Sequence, residues 1–173
     1  IINISCYKFV PLDDLSERRD AIRAAAQECD LRGTVLLSRE GINLFVAGSR
    51  AAIDAFVGFL RSDPLLSDLQ PKESLNQYQP FSRMLVKIKR EIIAFGHDDV
   101  RPAVRTSPKL PAAELRRWLD EGRPVHLLDT RNDYEVQIGT FRNAVHLNID
   151  HFRQFPEAIQ QLPQTMRDEP VVM

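Results

Sequence analysis

A strand-like run at residues 125–129 ends in a charged side chain, and three more follow it within six residues. A carboxylate at a strand end can accept hydrogen bonds from backbone N–H groups or from arginine, and an acidic or amide side chain can cap the turn that follows. In parallel α/β sheets, ligands bind beyond this end of the strands. The pattern therefore indicates either a functional loop or a solvated strand-to-helix connection with an N-cap. The four residues are Asp129, Arg131, Asp133 and Glu135, with Asn132 as an alternative cap.

A second cluster is cationic and has no acidic residue within it. In a strand, Lys87 and Lys89 share a face while Arg90 points the other way. Such a face can follow nucleic-acid phosphates, which contribute affinity without sequence information. It is equally typical of a charged solvent face or a protected edge strand. The members are Arg83, Lys87, Lys89 and Arg90.

The overall composition limits the function classes. With 23 basic and 24 acidic residues, the net charge is -1, so no global field attracts nucleic acid or anionic lipid. No apolar run reaches the length of a membrane span, and no signal peptide opens the chain, which indicates a cytoplasmic protein without a membrane partner. Cys6 and Cys29 lack any ligand spacing, so they are interpreted as buried residues and no metal or cofactor is identified. His126 and His146 fall in predicted strands and are interpreted as hydrogen-bonded structural residues.

The first half of the chain reads strand, helix, strand, strand, helix, strand. Ser16 and Ser49 are the expected helix N-caps, and Asp63 with Pro64 is expected to stop the second helix. This order predicts a ferredoxin-like, acylphosphatase-like α+β domain with an antiparallel sheet and two helices on one face. The expected strands are 2–9, 33–38, 42–47, a weak stretch near 68–76 and 84–90.

The second half alternates strands with helices, which predicts a parallel α/β sheet. Residues 96–109 lack apolar periodicity and read as a linker, in which His97, Asp98 and Asp99 form a turn or, alternatively, bind a cation. The expected domains are 1–95 and 110–173. The chain starts with Ile1 and ends in a strand that has only begun, so we expect a fragment of a longer protein. Elements of the second domain are a helix from Pro111 to Gly122, strands at 125–129, 144–147 and 171, and a helix over 150–162.

The stretch LLDTRNDYEVQIGTFRNAVHLNI resembles the first half of a rhodanese domain, in which a strand ending in Asp-x-Arg precedes a Tyr-Glu pair. Residues 139–144 depart from the Gly-His-Ile-Pro-Gly-Ala form of ordinary rhodaneses. The segments 36–48, 87–96 and 128–141 together are similar to one branch, the bacterial tRNA uridine hydroxylases that act on position 34. The positions that carry the rhodanese resemblance are Asp129, Arg131, Tyr134, Glu135, Gly139 and Ala144.

This resemblance implies an oxidoreductase that hydroxylates C5 of uridine 34 in tRNA with molecular oxygen as co-substrate. It places the cysteine nucleophile on a loop beyond Met173, so the present chain alone is expected to be inactive. Asp129, Arg131 and Glu135 are then supporting catalytic candidates, and tRNA is the expected partner. The expected tRNA-binding residues are Arg39, Asn43, Arg83, Lys87, Lys89 and Arg90; Tyr78 and Phe81 either stack a base or pack.

Two other functions fit the same residues. A rhodanese-type sulfurtransferase would carry a persulfide on the cysteine, although the altered 139–144 segment and the extra N-terminal domain argue against it. A rhodanese-like domain without its cysteine would be a non-catalytic binding module. Residues after Met173 would distinguish these alternatives, because both enzymes need a thiol there.

Overall fold

A computed structural model describes residues 1–96, 100, 104 and 106–173. The chain forms two compact units, one containing Ile1–Ile93 and the other Ala94–Gly96 with Ser107–Met173. Half of the expected linker lies outside the described residues, as does the expected turn or cation site at residues 97–99.

The first unit contains five strands and two α-helices. Ser49 caps the second helix by accepting a hydrogen bond from the Ala52 N–H (3.2 Å), as the sequence predicted. The first helix begins earlier than predicted, because Asp14 takes a left-handed backbone conformation (φ 53°) and Ser16 lies inside the first turn. The elements are β1 (Ile2–Phe9), α1 (Leu15–Glu28), β2 (Arg32–Ser38), β3 (Gly41–Gly48), α2 (Arg50–Arg61), β4 (Lys72–Leu75) and β5 (Met84–Ile88).

These strands form one sheet in the order β4-β1-β3-β2-β5. The first four have the predicted ferredoxin-like arrangement and pair antiparallel. The prediction of a wholly antiparallel sheet was wrong, because β5 pairs parallel to β2. The two extended stretches after α2 therefore lie at opposite edges of the sheet. All four residues of β4 are exposed, which suits a short edge strand.

Helices α1 and α2 bury their apolar stripes against one face of this sheet. Phe56 of α2 is fully buried at the centre of that core, with Leu44 and Val46 of β3 among its members. Removing apolar side chains of this size from water is the main stabilising contribution to such a small unit. The helix residues buried here are Ile22, Ala25 and Ala26 of α1 and Ile53, Phe56, Val57 and Leu60 of α2.

The second unit is built on a three-stranded sheet in the order β7-β6-β8, and both pairings are parallel as predicted. Its elements are α3 (Ala112–Asp120), β6 (His126–Asp129), α4 (Asp133–Ile138), β7 (Val145–His146), α5 (Phe155–Ala158), α6 (Thr165–Asp168) and β8 (Val171–Val172).

The predicted continuous helix over 150–162 was wrong. Two 3-10 turns, Phe152–Gln154 and Ile159–Gln161, flank the four-residue α5, whose first turn contains Pro156. Proline lacks the N–H that a continuing helix needs, so the segment restarts there. Phe152 and Phe155 stack at 5.2 Å between ring centroids and hold Phe95, which places Ala94–Gly96 in this unit.

Candidate functional site

The charged run of the second unit is organised around Asp129, the last residue of β6. Arg131 contacts it at two points, with 2.8 Å from Nε to Oδ1 and 2.6 Å from Nη2 to Oδ2. The Arg131 backbone N–H also donates to Oδ1 (3.2 Å). Such two-point pairs fix both the position and the plane of the guanidinium group. The contacts between Asp129 and Arg131 therefore fix the conformation of the first residues after β6.

Two residues from the far end of the loop complete this network. The Thr140 hydroxyl donates to Asp129 Oδ2 (2.7 Å), and Arg131 Nη2 donates to the Gly139 carbonyl oxygen (2.7 Å). The network thus joins the end of β6 to the segment after α4. The Asp129 side chain is only 7% exposed, whereas that of Arg131 is 44% exposed. The Arg131 guanidinium group therefore contacts the network on one side and solvent on the other.

The electrostatics of the pair favour its charged form. The hydrogen bond from Arg131 holds the pKa of Asp129 well below its usual value, helped by Thr140 and opposed by burial of the carboxylate. The pKa of Arg131 is raised by the hydrogen bond to Asp129. Asp129 is therefore ionised at neutral pH and serves as a fixed negative anchor rather than as a proton donor.

Glu135 lies at the start of α4 and takes part in a capping box with Asn132. Its Oε2 accepts the Asn132 backbone N–H (3.2 Å), which satisfies a donor that a helix N-terminus leaves without a partner. Glu135 lies only four residues after Arg131 in the chain. Its hydrogen bond with the Asn132 N–H, however, orients the helix. Its catalytic role stays a prediction.

A cavity of about 500 Å³ lies beside the Asp129 network at the carboxyl ends of the strands. Its polar side is formed by Asp129, Arg131 and Thr140, and its other walls are mostly apolar. Concave, largely apolar sites with a few convergent polar groups are typical of ligand and active sites. The apolar walls are formed by Leu115, Leu127, Leu128, Phe141, Ala144, Val172 and Met173.

The Nε2 atoms of His126 and His146 do not form the hydrogen bonds that the sequence predicted. His146 Nε2 lies 3.2 Å from Asp133 Oδ1, and His126 Nε2 lies 3.0 Å from Glu169 Oε2. Within the described part of the chain, neither Nε2 atom has a hydrogen-bond partner, although both atoms are buried. Each pair is an ion pair only when its imidazole is protonated.

The candidate tRNA-binding residues all lie in the first unit. Lys87 lies on β5 opposite Leu36, and the Lys89 N–H continues the pairing by donating to the Leu37 carbonyl oxygen (2.8 Å). The side chains of Arg39, Arg83, Lys87, Lys89 and Arg90 are exposed.

Asn43 has a structural contact that the sequence did not reveal. Its side-chain N–H donates to the Ile92 carbonyl oxygen (3.0 Å), and Glu40 Oε1 accepts the Ile92 backbone N–H (2.7 Å). Ile92 is 2% exposed, so these two side chains anchor a buried residue of the segment after β5. A role for Asn43 in tRNA binding stays a prediction.

Tyr7 and Phe45 were not among the predicted site residues, although both rings are half exposed on strands at the middle of the sheet. Their neighbours Cys6 and Leu44 are buried in the helix-covered core. Because strand side chains alternate between faces, this period-2 pattern was a sufficient signal to place both rings on the other face. Tyr78, which was considered as a stacking residue, is 73% exposed, and Phe81 is half-buried.

Neither cysteine belongs to the charged network. Cys6 is buried in the first unit's core, and Cys29 ends α1 and is only partly buried, which corrects the expectation that both are buried. The described residues contain no group of three metal-ligating side chains. Among the described helices, none has the length and apolarity needed to cross a membrane.

The fold and site define a two-unit protein in which an acylphosphatase-like domain precedes a parallel α/β unit with a polar network at its strand ends. A family model described as the UPF0176 acylphosphatase like domain matches residues 1–92. The chain belongs to this family, and curated relatives extend the similarity through the second unit.

Three such relatives are each named tRNA uridine(34) hydroxylase. Those of Cupriavidus necator and Ralstonia nicotianae are 52% and 54% identical over 164 residues, which is 92% of this chain and 58% of each relative. That of Bordetella petrii is 49% identical over 177 aligned positions, covering 99% of this chain and 70% of the relative. The chain therefore spans somewhat more than half the length of the first two.

Proposed function

We propose that this chain is part of a cytoplasmic enzyme that hydroxylates C5 of uridine 34 in tRNA, with molecular oxygen as co-substrate. The observation that carries the proposal is the identity of about half of all residues with proteins of that name, over 92% or more of this chain. Similarity across both units supports a shared activity more strongly than a shared fold would, because folds host unrelated functions.

The cavity beside Asp129 is where we expect the uracil ring to react. Its apolar walls suit a planar ring, and Arg131 offers N–H donors on the exposed side of its guanidinium group. A thiolate that adds to C6 of uracil leaves electron density at C5, where oxygen is captured. Transfer of one oxygen atom to C5 reduces the other to water and consumes two electrons from an external donor and two protons. Loss of the C5 proton and departure of the thiolate from C6 then restore the C5=C6 double bond and the free cysteine.

The thiolate in this mechanism comes from a cysteine that we place beyond Met173. Cys6 is unsuitable as the nucleophile because its side chain is buried in the core of the first unit. Cys29 is unsuitable because it lies at the end of α1 and does not belong to the charged network. Backbone N–H groups of a loop can lower the pKa of such a thiol. In this proposal, Asp129 and Arg131 position the loop after β6 at the cavity, and Glu135 fixes the start of the following helix.

The decisive experiment deletes the complete gene and measures tRNA nucleosides by mass spectrometry. The deletion should abolish 5-hydroxyuridine derivatives. Their return with the intact gene, but not with a variant lacking the cysteine, supports hydroxylation. Loss of a thiolated nucleoside instead, together with transfer of sulfur to cyanide by the purified protein, would establish a sulfurtransferase. Unchanged nucleosides in both respects would leave only a binding module.

The thiolate step can be tested separately with a 5-fluorouridine tRNA. The fluorine at C5 blocks completion of the reaction, so a covalent adduct with the complete protein should be detectable by mass spectrometry. Repeated absence of the adduct in an active preparation would exclude addition of the thiolate to C6.

A further inference from the structure

The first unit has a sheet face that helices α1 and α2 do not cover. We call it the open face and define it by Tyr7, Arg32, Phe45, Lys72 and Lys87. All five are strand residues that alternate with side chains pointing toward the helices. On β1 and β3, for example, the core side chains are Ile4, Cys6, Leu44 and Val46.

Two aromatic rings occupy the middle of the open face. Tyr7 pairs with Asn43 across β1 and β3, and Phe45 lies two residues along β3, so the rings are diagonal neighbours. Phe45 is flanked by Ser5 on β1 and Thr34 on β2, which are too small to cover it. Tyr7 is 52% exposed and Phe45 is 51% exposed.

The Tyr7 ring is held in place before any ligand arrives. Phe9 packs against it edge-on, with 5.9 Å between ring centroids and 68° between ring planes. A ring supported in this way loses little conformational entropy when a flat group stacks on it. The face thus presents preorganised aromatic surface to solvent.

Cations surround these rings. Lys72 on β4 lies opposite Ser5, Lys87 on β5 lies opposite Leu36, and Arg32 on β2 lies opposite Ala47. All three cationic side chains are exposed, and none has an ion pair within the described part of the chain.

No acidic residue occupies a strand position on this face of β1–β5. The nearest strand carboxylate, Glu73 on β4, points to the helix side, where Arg50 of α2 binds it through two contacts of 2.9 and 2.6 Å. Among the described strands of this unit, the cations of the open face therefore have no carboxylate facing them.

This combination of rings and cations matches one partner chemistry. Exposed aromatic side chains stack unpaired bases, while nearby cations follow the phosphates. Base-paired RNA hides the faces of its bases, and protein interfaces are depleted in lysine at their centres. We propose that the open face binds single-stranded RNA by stacking two bases on Tyr7 and Phe45. The identification of that RNA as the anticodon loop rests on the proposed function.

The test measures binding of a fluorescein-labelled anticodon stem-loop to the complete protein by fluorescence anisotropy. Tyr7→Thr and Phe45→Thr should each weaken binding about 5- to 150-fold, the range for loss of one stacked base. Tyr7→Phe and Phe45→Tyr keep a ring and should restore affinity to within about threefold of the parent, since stacking is ring-based.

Phe59 supplies the matched control. It is a partly exposed aromatic residue (39%) on α2, outside the open face. Phe59→Ala should leave RNA affinity unchanged, and thermal melting of every variant separates loss of binding from loss of folding.

The cations are tested through salt dependence. Lys72→Gln and Lys87→Gln should each reduce the slope of log K against log salt by about 0.7, the value for one contact to a single-stranded phosphate. A blunt-ended RNA duplex of the same length should compete weakly, because it offers no unstacked bases.

Photocrosslinking shows directly where the bases lie. Loop 4-thiouridines should crosslink to peptides containing Tyr7 or Phe45. Unchanged RNA affinity in the folded double Thr variant, with crosslinks elsewhere, would overturn the inference. So would a change in self-association, measured by sedimentation, without a change in RNA binding.

Failure of this inference is distinguishable from failure of the proposed function. If the double Thr variant loses neither RNA affinity nor uridine hydroxylation, the surface is wrong and the function stands. If the complete protein binds the loop through Tyr7 and Phe45 but tRNA nucleosides are unchanged by gene deletion, the surface stands and the hydroxylase function is wrong.

Discussion

Arg131 donates hydrogen bonds to both carboxylate oxygens of Asp129 and to the Gly139 carbonyl oxygen. One guanidinium group thereby joins the end of β6 to Gly139, which lies eight residues beyond Arg131 itself. Asp129 and Arg131, which form this connection, lie on the polar side of the cavity at the strand ends. Because Arg131 remains 44% exposed, the same group is available to a ligand or to a neighbouring loop.

Arg131→Lys tests the importance of this geometry. Lysine keeps the charge but cannot contact two carboxylate oxygens and a carbonyl in one plane. We expect hydroxylation by the complete protein to fall about 10- to 100-fold, corresponding to one or two charge-assisted hydrogen bonds. The measurement is the rate of 5-hydroxyuridine formation in tRNA. Arg116→Lys on α3 is the control, because its partner Asp120 forms an exposed ion pair within that helix; equal losses in both variants would contradict the prediction.

The pH dependence of stability follows from the lowered pKa of Asp129. The unfolded chain has an ordinary aspartate with a pKa of about 3.9, so the unfolded state binds more protons than the folded state below that value. The stabilisation is complete above about pH 5 and is lost as the pH falls from there toward the pKa of the folded state.

Asp129→Asn should therefore flatten the acid side of the stability profile and cost about 1.5–3 kcal/mol at neutral pH. Urea unfolding at several pH values can be followed through Trp118, the single tryptophan of the chain, which lies in α3 of the same unit. Thr140→Val, which removes one hydrogen bond to the carboxylate, should give an intermediate profile. Parallel profiles for the parent and Asp129→Asn would refute the assignment.

Local signals in the sequence predicted α2 well and indicated that Asp129 can accept hydrogen bonds from the backbone or from arginine. The α2 boundaries depend on Ser49 and on Asp63 with Pro64, all of which act within one turn of the helix. Asp129 and Arg131 are two residues apart at a strand end, so their contact needs no tertiary information. The ferredoxin-like order of the first four strands also followed from periodicity alone.

Contacts between distant residues were not predictable in the same way. Thr140 reaches Asp129 from eleven positions along the chain, and no periodic pattern records that closure. The spacing of Phe152, Phe155 and Ile159 suits a helix, yet Pro156 and aromatic packing with Phe95 break the segment into short turns. Tertiary packing decided the contact of Thr140, and packing together with the local effect of Pro156 decided the second case.

Asn43 was a tRNA-binding candidate, and its contact with Ile92 allows a test that separates binding from structure. Asn43→Ala should destabilise the first unit by about 1 kcal/mol, because a buried carbonyl oxygen loses its donor. Hydrogen exchange of the Ile92 amide should accelerate. Glu40→Ala disturbs the same residue through its N–H and serves as the matched variant. A greater loss of RNA affinity in Asn43→Ala than in Glu40→Ala would show a direct contact with RNA, and equal losses would show an anchoring role only.

Two glycines should respond in opposite directions to the same substitution. Gly41 opens β3 with φ +149°, and a Cβ there would lie 2.0 Å from the Lys8 carbonyl oxygen of β1. Gly41→Ala must therefore displace the β1–β3 pairing, and we expect it to cost about 3 kcal/mol or more, as strained backbone combined with overpacking does. Gly58 lies inside α2, and apart from its chain neighbours and the helix's own backbone no described atom lies within 4 Å of the added methyl group. Gly58→Ala should stabilise the first unit by about 0.5–1 kcal/mol, since alanine is the better helix former. Thermal melting of the two variants beside the parent checks both signs, and a stable Gly41→Ala protein would contradict the close pairing of β1 with β3 at that turn.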